Sequence, residues 1–575
     1  MVNAVKSLIE SQTARIVGLL MLAALLGAGV QAAMAEGQTM TIAVGTANGD
    51  AIRDIGADPT IAYNKENVSG LIGRQYYHVY THFSPLITQD SDANIVPYMA
   101  ESYKVSDDYT TITFHLRKGV KFADGTPLNA SVLKFNFDRL LNYGYKESYK
   151  QTKIAPAIYY DYSEAPDDST FMIHFTQGWS EMPFDLSRHQ FGYFISPLDI
   201  DPAWDIKGAL KSDKKYNGLG PYFVDENESI SKEKVVLKRR SSWRDDLNFN
   251  KPKLDKISIV LIGDPQTAVM ALEKGEVDYI CRYWNAPLDT IFKLKEDSKI
   301  TIKTYPEAHM YFIRTAYWKE PFSGSEGIAI RKAICYALNR TDMVDGAFYG
   351  YALPATDSMG LSPRLRPDVP QCCQNGYDYD LEKAKQLLSD AGWKDTDEDG
   401  ILDKNGKDLR SLDLAITSST DLVWQKDLAL IVQSQLRKVG IDVKIRTLES
   451  TAYYDLQKSG DFDLLMTYNM GRGFPASQEL KWFNYKTLYG KLDYYRNQNG
   501  TLETVVTNAQ KAVSKEERDR YICQASSILY EESGVIPLVY EMQYAVMNSK
   551  VKGFKFGPSS SSYYLDHVED CSIEE

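Results

Sequence analysis

The chain has 575 residues, of which 43% are hydrophobic and 25% charged, and its formal net charge is −12. These are the proportions of a globular protein, and the chain is too long for one hydrophobic core, so we expect two or three lobes. The acidic balance argues against a nucleic-acid partner and against binding to an anionic membrane surface.

The first 35 residues have the pattern of a secretory signal peptide. Lys6 and Arg15 form a basic region before an apolar run over 16–26, and Ala33-Met34-Ala35 forms a small-x-small cleavage site. The run is too short for a membrane span and no later run reaches that length, so we predict no stable membrane insertion. Cleavage leaves 540 residues with a net charge of −13. We expect this mature chain to be a periplasmic monomer.

The mature chain starts with a predicted strand at 39–44. Residues 112–116 alternate between apolar and polar, which indicates a second strand, and two Gly-containing turns then lead to a helix capped by Asn129 or Ser131. A helix opened by Asp264-Pro265 and closed by Gly275 precedes a strand at 277–280.

The second half of the chain repeats a helix–strand pattern. Apolar residues recur at helical spacing over 330–338, 381–388 and 428–439. Asp378 is the predicted N-cap of the second of these helices and Gly392 its stop, whereas Gly440 ends the third before a strand at 441–445. Helices that alternate with strands predict an α/β protein with helix-covered sheets.

Several of these stretches resemble the extracellular solute-binding proteins of peptide- and nickel-type ABC importers, known as family 5. The signature stretch at 112–138 reads ITFHLRKGVKFADGTPLNASVLKFNFD, residues 218–222 read GLGPY where the family has GTGPY, and residues 264–280 follow its DPxxxxxALExGEIDL. The match runs in order from about residue 40 to about residue 550. The resemblance implies a two-lobed periplasmic-binding-protein-like fold with an enlarged first lobe and an inter-lobe ligand cleft.

The resemblance also implies domain limits and a function. The signal peptide would occupy 1–35, lobe I with an extra subdomain 36–295, lobe II 296–533, and a return segment to lobe I 534–575. The protein would be the periplasmic substrate-binding component of an ABC importer, closing on a small ligand and delivering it to an inner-membrane permease with its ATPase. Alternatives are an oligopeptide- or nickel-chelate-binding component proper, a ligand-sensing partner of a chemoreceptor, and a secreted hydrolase. The hydrolase is disfavoured because the chain has no GxSxG or HExxH motif, so we expect no enzyme activity and no required cofactor.

The ligand-binding predictions depend on a departure from the family. Peptide-binding relatives carry an Asp after an FDL-containing strand, and it holds the α-amino group of the ligand. Here that strand is followed by Met470–Ala476, which contains Arg472 and no Asp. Arg472 would fork onto a carboxylate or phosphonate, which predicts an anionic or zwitterionic ligand, a metal chelate included; the alternative is an arginine directed to solvent. Further candidates are the basic or aromatic residues Tyr76, Tyr77, Arg188, His189, Phe474 and Trp482.

Two patterns suggest metals. Asp395, Asp397, Asp399 and Gly400 spell D-x-D-x-D-G, the first half of a calcium loop, to which Asp403 would contribute although the usual final Glu is missing. The alternative for this stretch is a solvated turn. His78 and His82 stand at i, i+4 on a predicted helix, a spacing that suits a weak metal contact, or else they share a solvated face. Relatives that bind nickel use a His after the Arg472 loop, and none lies between His309 and His567.

Cysteine pairing is open at the level of sequence. The six cysteines allow 15 pairings. Adjacent cysteines rarely bridge each other, so at least one of Cys372 and Cys373 should pair elsewhere or stay free, and Cys335 on an amphipathic helix is expected to be a buried thiol. The remaining members of the set are Cys281, Cys523 and Cys571.

Overall fold

The computed structural model describes residues 37–44, 84–90, 94–139, 141, 155–187, 191–192, 194–199, 218–230, 233–241, 251–280, 288–359, 369–373, 376–418, 424–468, 476–480, 501–556 and 570–574. Its strands are β1 (Thr39–Val44), β2 (Ile87–Gln89), β3 (Ile95–Pro97), β4 (Ala100–Val105), β5 (Thr111–Leu116), β6 (Tyr160–Glu164), β7 (Thr170–Phe175), β8 (Tyr222–Val224), β9 (Lys234–Arg239), β10 (Lys256–Leu261), β11 (Tyr279–Ile280), β12 (Ile300–Thr315), β13 (Ala352–Pro354), β14 (Asp403–Lys404), β15 (Lys407–Asp408), β16 (Leu412–Thr417), β17 (Val443–Leu448), β18 (Leu464–Tyr468), β19 (Val535–Asn548), β20 (Val551–Lys552) and β21 (Ser572–Ile573). Its α-helices are α1 (Ala130–Asp138), α2 (Ala155–Tyr159), α3 (Met182–Leu186), α4 (Pro265–Glu273), α5 (Leu288–Leu294), α6 (Gly324–Ala337), α7 (Arg340–Phe348), α8 (Leu381–Asp390), α9 (Trp424–Arg437), α10 (Ser450–Ser459), α11 (Ala476–Glu479), α12 (Thr501–Lys511) and α13 (Lys515–Glu532).

One mixed sheet extends through both lobes in the order β17-β16-β18-β12-β19-β11-β1-β10-β9-β8, and β13 also pairs with β19. In the first lobe, β1 is parallel to β10 and β11. In the second lobe, β16 is parallel to β17 and β18. The long strands β12 and β19 pair with each other in both halves. This is the two-lobed α/β fold that the resemblance implied.

A separate four-stranded sheet, β4-β5-β7-β6, enlarges the first lobe. Ile112, Phe114 and Leu116 of β5 are buried, as their alternation predicts. Helix α1 packs on this sheet, and the side chain of its N-cap Asn129 accepts a hydrogen bond from Val132 N. The core of this subdomain, defined by these residues and by Phe137, Phe171 and Trp179, is a hydrophobic cluster of its own.

The second lobe has a hydrophobic core on each face of its sheet. On one face, apolar side chains of α6, α8 and α9 pack against β12, β16 and β18. On the other face, α12 and α13 pack around Met310 and Phe312 of β12. The predicted amphipathic helices therefore cover the sheet as their spacing requires.

The predicted helix ends are largely confirmed, with one correction. Asp264 caps α4 by accepting from Thr267 N, and Gly392, with a φ of +89°, follows the end of α8. The N-cap of α8, however, is Asp380, whose side chain accepts from Lys383 N, and the prediction of Asp378 is wrong. Among the described residues, no helix is both long and apolar enough to cross a membrane.

Candidate functional site

The carboxyl ends of the parallel strands in the two lobes point toward each other. In the first lobe, Ile280 at the end of β11 pairs with Val546, and β11 runs antiparallel to β19, toward the second lobe. In the second lobe, β18 ends at Tyr468, which pairs with Tyr311 and so lies nearest the first lobe. Ligands of open α/β sheets bind outside the carboxyl ends of their strands. The space between the two sets of strand ends is therefore the candidate site.

A contact between a histidine and a glutamate lies where β12 and β19 cross this space. The register of β12 against β19 shifts between Pro306 and Met310. His309 lies in this irregular stretch, and its Nδ1 is 3.1 Å from Oε2 of Glu541 on β19. The two side chains are 12% and 22% exposed. The pair is thus mostly shielded from bulk water but keeps an accessible face, where charge interactions are stronger than at the open surface.

An aromatic cluster stands beside this pair in the second lobe. The ring of Tyr468 lies 6.1 Å from that of His309 and 6.2 Å from that of Tyr311, measured between centroids. Tyr311 stacks on Trp424 at 3.8 Å. Trp424 follows residues 419–423 directly, and Tyr468 directly precedes residues 469–475. Tyr311 and Trp424 are buried in the second-lobe core, so Tyr468 is the partly exposed member of the cluster beside His309. Ligand pockets commonly combine an exposed aromatic face with a few placed polar groups.

A buried glutamine fixes the two second-lobe strand ends relative to each other. Nε2 of Gln425 donates to Met466 O at 3.1 Å, and its Oε1 accepts from Thr417 N at 2.8 Å. The hydroxyl of Tyr453 donates to Met466 O at 2.6 Å, and burial raises the pKa of Tyr453 to about 12, so the hydroxyl remains a donor at neutral pH. Because these buried polar groups satisfy one another, the starting points of 419–423 and 469–475 are held in place.

The ligand residues predicted from the sequence are not among those that the structure places. The predicted ligand and histidine metal contacts all lie outside the described residues: Tyr76, Tyr77, His78, His82, Arg188, His189, Arg472, Phe474 and Trp482. Sequence reasoning in turn missed His309, Glu541 and Trp424. Trp424 opens α9 shortly after the end of β16, and ligands bind outside such strand ends, but no strand had been predicted there from the sequence. His309 and Glu541 are 232 residues apart and meet only because β12 and β19 pair.

Residues 94–491 match a family model described as bacterial extracellular solute-binding proteins, family 5 Middle. The chain belongs to this family. The matched span runs from just before β3 in the first lobe to beyond Tyr468, so it includes β11 and β18, whose ends face the candidate site. The resemblance derived from the sequence motifs is confirmed.

Named family 5 relatives and solved structures cover most of the chain. The probable D,D-dipeptide-binding periplasmic protein of Escherichia coli K12 is 26% identical over 474 residues, which is 80% of this chain and 82% of that protein. The nickel-binding periplasmic protein of the same strain is 28% identical over 398 residues, or 68% and 70% of the two chains. The crystal structure of NikA from Brucella suis in complex with Fe(III)-EDTA superposes with a TM-score of 0.74 at 22% identity, covering 93% of this chain and 100% of that chain. At that identity the structural likeness shows the fold.

Family 5 membership gives the protein its general role. It is the substrate-binding component of an ABC importer, as the resemblance implied. Family 5 proteins bind solutes, so binding rather than catalysis is the chemistry to expect at the space between the strand ends. The curated relatives named above are periplasmic proteins.

The predicted calcium loop forms a turn with three clustered carboxylates. Oxygens of Asp395, Asp397 and Asp399 lie within 4.8 Å of one another, and all three residues are exposed. Each carboxylate also accepts a backbone N–H within the turn, at Gly400, Asp399 and Ile401 respectively. Such bonds are also those of a solvated turn, so a structural calcium ion here stays a prediction.

The fourth predicted calcium ligand has a separate structural role. Asp403 is buried, and its Oδ2 accepts from both N and Oγ1 of Thr396, at 2.7 and 2.8 Å. It therefore ties the two ends of the turn together. Desolvation, followed by the charges of Asp399, Asp397 and Asp403, raises the pKa of the neighbouring Asp408.

The cysteines resolve one of the open pairings. Cys372 and Cys523 form a disulfide, with 5.8 Å between their Cα atoms. This confirms that one of the adjacent cysteines pairs elsewhere. Cys373 is a buried thiol with its Sγ 3.9 Å from that of Cys372, and burial raises its pKa to about 11. Cys335 is the buried thiol that its helix position predicted.

Proposed function

We propose that the protein is exported, loses residues 1–35, and acts as a periplasmic monomer that captures a small anionic or zwitterionic solute between its lobes. It then delivers the solute to an inner-membrane permease and its ATPase. One observation carries this proposal. Four segments each begin at a strand end that points into the space between the lobes, namely 45–83, 281–287, 419–423 and 469–475.

The ligand class follows from the charged residues of these segments and of the crossover. The segment after Tyr468 contains Arg472 and lacks the Asp that grips an α-ammonium group in peptide-binding relatives. An arginine fork favours a carboxylate, a phosphonate or an anionic chelate. Arg188 and His189 are further candidates for anion contacts, and Tyr76, Tyr77, Phe474 and Trp482 for aromatic walls.

Glu541 gives the site a negative group that the sequence motif lacks. In this proposal its carboxylate, oriented by His309, takes the ammonium end of a zwitterion while Arg472 takes the acidic end. A carboxylate in a partly shielded site attracts a nearby cation more strongly than one in bulk water. A D,D-dipeptide, the ligand named for one relative, carries a carboxylate and an ammonium group and so agrees with this proposal, whereas nickel, named for another relative, is a cation and does not.

Transport is preferred over the secreted-hydrolase alternative because the family is a solute-binding one and the sequence has no nucleophile or zinc-protease motif. A nickel site of the family type is also not proposed. The histidine that such relatives use after the Arg472 loop is missing, since the sequence has no histidine between His309 and His567.

The test begins with native mass spectrometry of the protein from a periplasmic extract, purified without refolding, because tight ligands co-purify. Calorimetry then compares glutathione, a free dipeptide and Fe(III)-EDTA as probes. Loss of a shielded charge-assisted hydrogen bond costs about 1.5–3 kcal/mol, so Arg472→Ala should weaken binding of an acidic probe roughly ten- to a hundredfold.

Arg437→Ala is the matched control, since Arg437 forms an exposed ion pair with Asp442 within the second lobe, 2.9 Å apart. This variant should bind like the wild type. Tight binding of generic di- and tripeptides that Arg472→Ala leaves unchanged would contradict both the ligand class and the role of Arg472.

A further inference from the structure

A polar contact joins the two lobes outside the β12–β19 crossover. Glu181 precedes α3 and lies among core residues of the first-lobe subdomain, such as Trp179 and Met182. Ser477 in α11 and Arg518 in α13 belong to the second lobe, next to residues of its own core. The contact therefore connects parts of the molecule that fold around different cores.

The contact is short and almost fully buried. Ser477 Oγ lies 2.6 Å from both Oε1 and Oε2 of Glu181, and Arg518 Nη1 lies 3.7 Å from Oε1. Glu181, Ser477 and Arg518 are 4%, 0% and 8% exposed. Beside them, Ser180 N donates to Ala512 O at 2.8 Å, which adds a backbone hydrogen bond between the lobes.

The chemistry of this contact suits surfaces that separate. Among the described residues, the contact is made by a carboxylate, a hydroxyl and a guanidinium. Interfaces between mobile domains are more polar than permanent ones. An ion pair that is hydrated again when the lobes separate stabilises the joined state only a little, because the cost of desolvating its charges offsets much of their attraction. Open and closed states of a protein differ in free energy by a few kcal/mol, and a contact of this small net stability is able to form in one state and break in the other.

Ser477 also lies close in sequence to the proposed ligand residues. It follows Arg472 by five residues and precedes Trp482 by five. Helix α11, which carries Ser477, begins directly after segment 469–475. The bond from Ser477 to the first lobe therefore lies just after that segment in the sequence, and the bond from Gln425 to Met466 lies just before it.

We infer that Glu181, Ser477 and Arg518 form a latch that engages when the lobes close and holds α11 against the first lobe. These three are positioning residues, which act through the relative placement of the two lobes. The inference rests on the proposed function for its link to capture. The latch itself is tested without ligand, so its failure is distinguishable from failure of the ligand assignment.

The experiment compares ligand-free wild type, Glu181→Gln, Ser477→Ala and the control Arg437→Gln by hydrogen exchange and small-angle scattering. Glu181→Gln keeps the shape of the side chain but removes its charge, while Arg518 retains Asp519, 3.0 Å away. We expect the amide of Ser180 and those of 505–514 to exchange about tenfold faster in Glu181→Gln, with a larger radius of gyration. Ser477→Ala should shift both in the same direction, and amides of β5 should not change.

Two outcomes would overturn the latch. Unchanged exchange at Ser180 and an unchanged radius of gyration in Glu181→Gln would show that the contact does not govern closure. Faster exchange throughout both lobes, with a lower melting temperature and the same radius of gyration, would show a permanent structural contact instead. The Arg437→Gln control must match wild type in both measurements, because its ion pair lies within one lobe.

Discussion

Removal of the Cys372–Cys523 disulfide should destabilise the second lobe. The bridge ties the 3₁₀ turn at Gln371–Cys373 to α13, across a sequence separation of 151 residues. Cys523→Ser is the informative substitution. If Cys372 were replaced instead, the Cys373 sulfur beside it would be able to take over the bond to Cys523, since the three sulfurs lie within 4.8 Å of one another.

The size of the effect follows from the length of the loop that the bridge closes. For a separation of 151 residues the chain-entropy relation gives about 5 kcal/mol at 25 °C, and disulfides typically deliver about 2–4 kcal/mol. In a unit of about 240 residues each kcal/mol shifts the melting temperature by roughly 2 °C, so the transition of the second lobe should fall by about 4–8 °C.

Calorimetry of ligand-free protein, with and without a thiol reductant, measures this shift. Reduced wild type should melt near the temperature of Cys523→Ser, and the reductant should have less effect on the variant than on wild type. Peptide mapping of the non-reduced protein should recover the Cys372–Cys523 linkage. A variant that melts at the wild-type temperature, together with a map that lacks this linkage, would refute the reasoning.

Two further predictions concern pH and calcium. Burial alone would raise the pKa of Asp463, but hydrogen bonds from Arg410 and from the backbone N–H of Asp413 outweigh burial and leave the pKa lowered. The ionised Asp463 therefore stabilises the fold fully above its unfolded-state pKa of about 3.9, and this stabilisation is lost as pH falls through the lower folded-state pKa. Asp463→Asn should flatten the acid side of the plot of melting temperature against pH. An equally steep plot for the variant would contradict this. Calcium at about 1–10 mM should raise the melting temperature of wild type but not of Asp397→Asn, and magnesium should not replace it. No calcium-dependent shift in wild type would favour the solvated turn.

Local structure could be predicted from this sequence because its causes are local. The alternation in β5, the caps at Asn129 and Asp264, and the stop at Gly392 depend on side chains within a few residues. The mistaken N-cap shows where even local reasoning ends. Asp378 and Asp380 are equally good capping residues, and the choice depends on where the backbone leaves its extended form, with Asp380 at a φ of −152°.

The long-range contacts of the site could not be predicted in this way. His309 and Glu541 are 232 residues apart in the sequence, and Glu181 and Ser477 are 296 apart. The Cys372–Cys523 disulfide is compatible with only some of the 15 pairing schemes that six cysteines allow. No local pattern encodes these distances. They follow from which strands pair and in which register, and that is fixed by the total burial of apolar surface over both lobes.

The sequence by itself determined the fold class, the family and the general role, because apolar periodicity, capping residues and family motifs can be recognised in the sequence alone. It also drew attention to the segment with Arg472, where a family residue is missing. Only the tertiary structure decided that the strand ends of the two lobes face each other, with His309 and Glu541 between them. The physical reason is that periodicity specifies which face of an element is buried, whereas only packing specifies what it is buried against.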